Sequence, residues 1–333
     1  MQRNVLVFIL ILLCGVSKAE HHASNIRTIS TYEGLSSSYA FQTTQDHYGR
    51  LWIATEWGLN CYDGNQIKNY THQPADSTSL STNFVWALHA DRERGELWIA
   101  TENGLNQYDF YNDRFVRYEQ FSTGCIDVIP ADSTHLWLSN YQYGLIRFDK
   151  EQGTCTPIEA VYNAVQPIGK GTLRAWKLFD DRQGSIWIGT DKMGIVRYAP
   201  SAQVAEHYHL YDSSGEVEQK VFVRSFFKDR HNILWAVTFS GLYYADLSQP
   251  KPVFRQSELL KNVSLSTITL LDNGMLWLSG EKGVYTFPYE YLHPHTKKTP
   301  IHLTTVASQG NTTRLSSIRH IYQDDYDNLW LSS

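Results

Sequence analysis

The sequence predicts an all-β chain: a seven-bladed β-propeller of four-stranded blades, with the last blade incomplete at the C-terminus. Three observations carry that expectation. A short apolar motif recurs as LWIAT at Leu51, LWIAT at Leu97, LWLSN at Leu136, IWIGT at Ile186, LWAVT at Leu234, LWLSG at Leu276 and LWLSS at Leu329. Its tryptophans, at 52, 98, 137, 187, 235, 277 and 330, lie 46, 39, 50, 48, 42 and 53 residues apart. That is the length of one propeller blade, and too long for a leucine-rich or ankyrin unit. Between the motifs apolar residues alternate, turn residues punctuate the runs, and helical periodicity is nowhere sustained.

Each unit reads the same way from the channel outward. Strand a is an alternating run closed by an acid or glycine turn, as in FQTTQDHYGRLW from Phe41 and RSFFKDRHNILW from Arg224. Asp and Asn bond the backbone of a tight turn and Gly accepts positive φ, so the chain reverses there into strand b, the LWIAT segment. Alternation sends Leu51 and Ile53 to one face and Trp52 to the other. Both faces are then apolar, as a blade held between two neighbours requires. A second glycine turn, at Gly58, Gly104, Gly144, Gly194, Gly241 or Gly283, opens strand c, and a short polar strand d follows. The recurring acids, such as Asp46, Asp91 and Asp181, read as turn residues rather than active-site carboxylates.

The two ends read differently. Arg3 followed by the apolar run Val5 to Leu13 and by Ser17-Lys18-Ala19 predicts a signal peptide over residues 1–19, with the propeller over 20–333. Nine apolar residues are too few to span a bilayer. Ile26 to Thr31 reads as a strand d returning beside the C-terminal repeat, yet that repeat stops at Ser333, after strand b. A ring left open with unpaired strand edges is an aggregation liability, so the expectation is a piece of a longer protein.

Composition narrows the function. Forty-two per cent hydrophobic and 19% charged residues allow a sizeable core, and 14% aromatic residues suit strands. A net charge of −5 supplies no basic field, which sets nucleic acid aside as a partner. Beyond the leader, Cys61, Cys125 and Cys155 have neither CxxC nor metal-like spacing; they read as isolated buried thiols, with a Cys125–Cys155 disulfide as the alternative. The histidines at 207, 209, 293 and 295 lack Cys, Asp or Glu partners and read as loop residues, so neither metal nor cofactor is expected. No GxSxG, HExxH or phosphate loop occurs, and no catalytic residue is assigned; the chain is not expected to be an enzyme.

The pattern D-x-x-G-x-LW-I-G/A-T-x-x-GL-x-x-YD resembles the repeat of the two-component regulator propeller family, most closely in IWIGTDKMGIVRY from Ile186 to Tyr198. Ala236-Val237 and Gly280 depart from it in single repeats, and the Trp-Asp and Gly-His pairs of WD40 repeats are missing. The resemblance implies a periplasmic ligand-binding sensor domain of a membrane-bound signalling protein, with a histidine kinase or, second, a diguanylate cyclase as output. It implies a homodimer in the longer protein, and contact with the membrane only through C-terminal segments. The D-x-x-G-x-x-W part also resembles the Asp box of sialidases, but lacks its Ser and its Thr before Trp and precedes strand b. An exported glycan-active enzyme and a protein-binding scaffold are therefore the alternatives.

A propeller offers a ligand its channel mouth, where the loops entering strand a meet the loops between b and c. Candidates there are Trp57, Tyr141 and Tyr143 in the b–c loops, Trp86, Trp176, Arg224 and Arg319 five residues before the turn acids, and Arg174 two residues before Trp176. Counting back five residues also gives Phe41, Asp127 and Thr267. Aromatic faces and forked guanidinium donors suit a small molecule or oligosaccharide, a carboxylated one included. The competing expectation is structural: Trp86 and Trp176 packing between blades, Arg224 and Arg319 pairing with acids such as Asp127.

Overall fold

The computed structural model describes residues 6–10, 25–118, 124–165, 174–219, 221–308 and 311–333. Blade 1 consists of Ala40–Gln45, Leu51–Thr55, Gly58–Tyr62 and Ile67–Tyr70, each strand antiparallel to the next. Blades 2 to 6 repeat the arrangement, with innermost strands Val85–Asp91, Cys125–Pro130, Ala175–Asp180, Val223–Lys228 and Leu265–Leu270. In blade 5 a fifth strand, Leu210–Tyr211, adds parallel to the outer edge. A single α-helix among the described residues, Glu159–Val165, buries Val161 and Val165 against blade 4.

The expectation of seven blades is corrected to six, each complete within its own repeat. The seventh repeat supplies only His320–Gln323 and Leu329–Ser332, because its sequence holds strands a and b alone. Its sheet is completed from the other end of the chain: Leu6–Leu10 pairs with Leu329–Ser332, and Asn25–Ile29 pairs with Leu6–Leu10. The place of strand c is thus filled from within the segment read as a leader, and the open edge expected at this seam is absent. The returning strand takes the strand d place beside the C-terminal repeat, as read, and Leu6–Leu10 fills the gap between it and strand b.

The tryptophan of strand b is the wedge between neighbours. Trp52 packs with Val85, Leu88, Leu97 and Ile99 of blade 2, and Trp277 with Ile318, Ile321, Leu329 and Leu331 of the composite sheet. Trp330 in turn packs against Leu51, Ile53 and Tyr62 of blade 1, which closes the ring. The turn acid holds this wedge. One oxygen of Asp46 accepts the backbone N–H groups of Tyr48 and Arg50 at 2.9 and 3.0 Å, and the other accepts the Trp52 indole N–H at 2.7 Å. Asp181, Asp229 and Asp324 do the same for Trp187, Trp235 and Trp330 at 3.0, 3.0 and 2.8 Å. Cys61, Cys125 and Cys155 are free thiols, the first two buried, so the alternative disulfide is not formed.

The innermost strands share an irregularity that shapes the channel. In each of the six blades the pairing of strand a with b skips one residue near its start, a β-bulge between Ala40 and Gln42, Val85 and Ala87, Cys125 and Asp127, Ala175 and Lys177, Val223 and Ser225, and Leu265 and Thr267. A bulge re-aims the side chain of its extra residue. The residues so released are Phe41, Trp86, Ile126, Trp176, Arg224 and Ser266, and all six line the channel together with Arg319. Counting from the turn acids had placed Asp127 and Thr267 at this position in blades 3 and 6; each lies one residue further on.

Candidate functional site

Strand a enters, and the b–c loop turns, at the same end of the ring. The N–H of Glu56 donates to the carbonyl of Tyr39 at 3.3 Å, Glu102 to Phe84 at 3.0 Å and Asp191 to Arg174 at 3.1 Å. The bulges lie just inside that end, so the re-aimed side chains form the wall behind one mouth.

Four predicted residues, Trp86, Trp176, Arg224 and Arg319, meet on that wall. The expected packing of tryptophans between blades falls instead to the strand b residues, and Trp86 and Trp176 are half-buried along the channel. Their rings belong to a continuous aromatic arc, with centroids 5.2 Å apart for Phe41 and Trp86, 5.3 Å for Trp86 and Trp176, 4.7 Å for Trp176 and Phe222, and 5.2 Å for Phe222 and Phe239. An arginine caps each end. Arg319 lies over Phe41 at 5.2 Å and Tyr39 at 6.0 Å, and Arg224 over Phe239 at 5.1 Å and Phe222 at 5.5 Å. Burial and the facing Arg319 charge bring the Arg224 guanidinium down to about 10, and burial lowers Arg319 against the pull of Tyr39 and Glu56.

Asp127, Lys177 and His320 on the wall are engaged. Asp127 does not pair with either arginine; it accepts Lys177 Nζ at 3.0 Å and the Leu178 backbone N–H at 2.8 Å. His320 accepts the Thr43 N–H on Nδ1 at 3.3 Å, and burial, reinforced by Lys177, holds it neutral with its pKa down to about 3. The channel at this wall measures about 100 Å³. A wider groove of about 900 Å³ runs between the outer turns of blades 3 and 4, where Asp132 already binds His135 at 2.9 Å and Arg147 at 3.1 Å.

The other four candidates lie apart from this wall. Arg174, exposed, covers the Tyr141 ring at 5.9 Å and approaches Asp191 at 3.7 Å, so these two meet at the rim. Trp57 is 62% exposed on its loop. Tyr143 turns away, onto the apolar cluster between blades 2 and 3. Lys177, Phe222 and His320 were missed by the sequence reading, although each is next to or within two residues of a bulge residue or its equivalent, which is the signal that would have found them.

No family model matches the sequence. Over 82 residues, 24% of this chain, it is 38% identical to Histidine kinase P4 of Formosa agariphila, and that stretch covers 6% of the kinase. The extracellular domain of the hybrid two component system BT3049 from B. thetaiotaomicron matches with a TM-score of 0.74 at 22% identity, over 92% of this chain and 40% of that one. That of BT4673 from the same organism gives 0.69 at 22%, over 89% and 37%. The chain spans less than half of either solved domain. No helix among the described residues is long and apolar enough to cross a membrane. The chain therefore has the fold of part of the extracellular domains of hybrid two-component systems and shares a stretch of sequence with a histidine kinase, the relation its repeats resemble.

Proposed function

We propose that this chain is the ligand-binding sensor domain of a membrane-bound signal-transduction protein of the histidine kinase type, working in the periplasm, and that it holds a small molecule or oligosaccharide at the channel mouth. The observation that carries the reading is the bulge repeated in six blades, which turns an otherwise closed ring of strands into a wall of aromatic and guanidinium groups at one end. Regular pairing would have kept those side chains in the pleat. Binding, not turnover, is the task assigned to this unit, and catalysis belongs to an output domain. A ligand moves such a system only by its differential affinity for two arrangements, as of a homodimer, so the site must be one whose surroundings change between them.

The test is a panel of neutral and acidic oligosaccharides followed by intrinsic tryptophan fluorescence, since Trp86 and Trp176 face the channel. The expected result is a saturable signal that Trp86→Ala abolishes while Trp57→Ala and Tyr141→Ala weaken it, the sugars being recovered unchanged. Binding that survives Trp86→Ala, or sugars recovered cleaved, would overturn the reading.

A further inference from the structure

Two half-buried guanidinium groups face one channel without an acid between them. Among the described residues neither Arg224 nor Arg319 has a hydrogen-bond or ion-pair partner for its side chain; each touches only ring faces. Arg319 Nε and the Trp86 indole Nε1 are buried donors with nothing to donate to. Buried charges are normally paired, and a ring face returns less than the donors lose by leaving water unbonded. The one carboxylate on the wall, Asp127, is spent on Lys177, and His320 is neutral. Glu56 and Glu281 act on the arginines only from a distance, through their charge.

Resting on the sensor reading above, we infer that the channel is a site for a small oxyanion, the carboxylate or sulfate head of an acidic ligand, received by Arg224, Arg319 and the Trp86 indole N–H. The unengaged charged and buried N–H groups on the wall are all donors, and its one carboxylate is taken, so an anion is better matched there than a cation. The dimensions agree. About 100 Å³ of channel is room for an acid group. The body of the ligand then lies outside, across the exposed rings of Tyr39 and Phe239. Planar forks beside a carboxylate or sulfate give short, charge-assisted bonds, which supplies selection as well as affinity.

The experiment uses the full chain and two readouts, tryptophan fluorescence and thermal melting, with galactose, galacturonate, galactose 6-sulfate and inorganic sulfate as probes at fixed ionic strength. The acidic sugars should bind at least roughly tenfold tighter than galactose, and Arg224→Gln or Arg319→Gln should each erase that preference. Without a probe the Arg224→Gln protein should melt no earlier than the parent, since it loses an unpaired half-buried charge, and Arg224→Lys should keep part of the binding. Preference for galacturonate names a carboxylate as the ligand's acid; preference for galactose 6-sulfate with sulfate competing names a sulfate. Equal binding of galactose and its acids, lost in Trp86→Ala, overturns the oxyanion assignment and leaves the sensor site standing. No binding of any probe, or an Arg224→Gln protein that melts several degrees early, also overturns it; the sensor reading falls if binding of the oligosaccharide panel survives Trp86→Ala or its sugars are cleaved.

Discussion

At the scale of single residues the repeated acid proves to be more than a turn former. Asp46, Asp181, Asp229 and Asp324 sit six residues before their tryptophans and hold both the turn and the indole. In blade 6 the equivalent position is Leu271, and the Trp277 indole N–H is buried without a partner. Trp235→Phe should therefore cost about 2 kcal/mol, since it strips a charge-assisted bond from buried Asp229, whereas Trp277→Phe should cost about 1 kcal/mol or less. Urea midpoints of the two variants check this, and equal losses would mean that packing volume alone decides. The same residues explain what the sequence hid. In blades 3 and 6 the acids, Asp132 and Asp272, stand one residue after the place held by Ala131 and Leu271, so counting back five from them lands on Asp127 and Thr267 instead of the bulged Ile126 and Ser266. Where the acid stands at its regular place, as at Asp46, Asp181, Asp229 and Asp324, the same count reaches a channel residue.

At the scale of elements, the tryptophan period and the glycine turns made the strands legible, because both are local necessities. The carbonyl of Leu303, on the outermost strand of blade 6, would lie 2.3 Å from a Cβ on Gly283, whose φ is +127°. Gly184, in the a–b turn of blade 4, has φ +94° but open space where its Cβ would go. Gly283→Ala should then cost about 3 kcal/mol or more, and Gly184→Ala about 1 kcal/mol, the strain of the left-handed backbone without the clash. Thermal melting separates them, and a Gly283→Ala protein as stable as Gly184→Ala would mean that strand d yields. The bulges were not legible in this way. A skipped pairing leaves the alternation of strand a intact on paper, and only the register against strand b exposes it.

At the scale of the whole molecule the ring depends on its seam, and the seam carries a titrating group. His320, on the innermost strand of the composite sheet, accepts the Thr43 N–H of blade 1, and Thr43 Oγ1 meets Ser332 Oγ at 3.1 Å beside it. This junction was the part of the fold the sequence misread, since the strand that completes the sheet comes from a segment whose composition resembles a leader. Burial and the Lys177 charge lower His320 from 6.5 to about 3, and burial lowers His89 and His207 in the same direction. Between those values the unfolded chain binds a proton at position 320 that the folded chain refuses, so stability is full above pH 6.5 and falls as the pH drops toward 3. One such histidine gives a slope of about 1.4 kcal/mol per pH unit, and carboxylates held low by their partners, such as Asp325 beside Arg92, add their losses only nearer the acid end. Urea midpoints at three pH values between about 5 and 7.5 should show this slope in the parent and a slope smaller by one proton in His320→Gln. An unchanged slope in that variant would move the acid sensitivity away from the seam, to His89 or His207, and leave the closing sheet indifferent to pH.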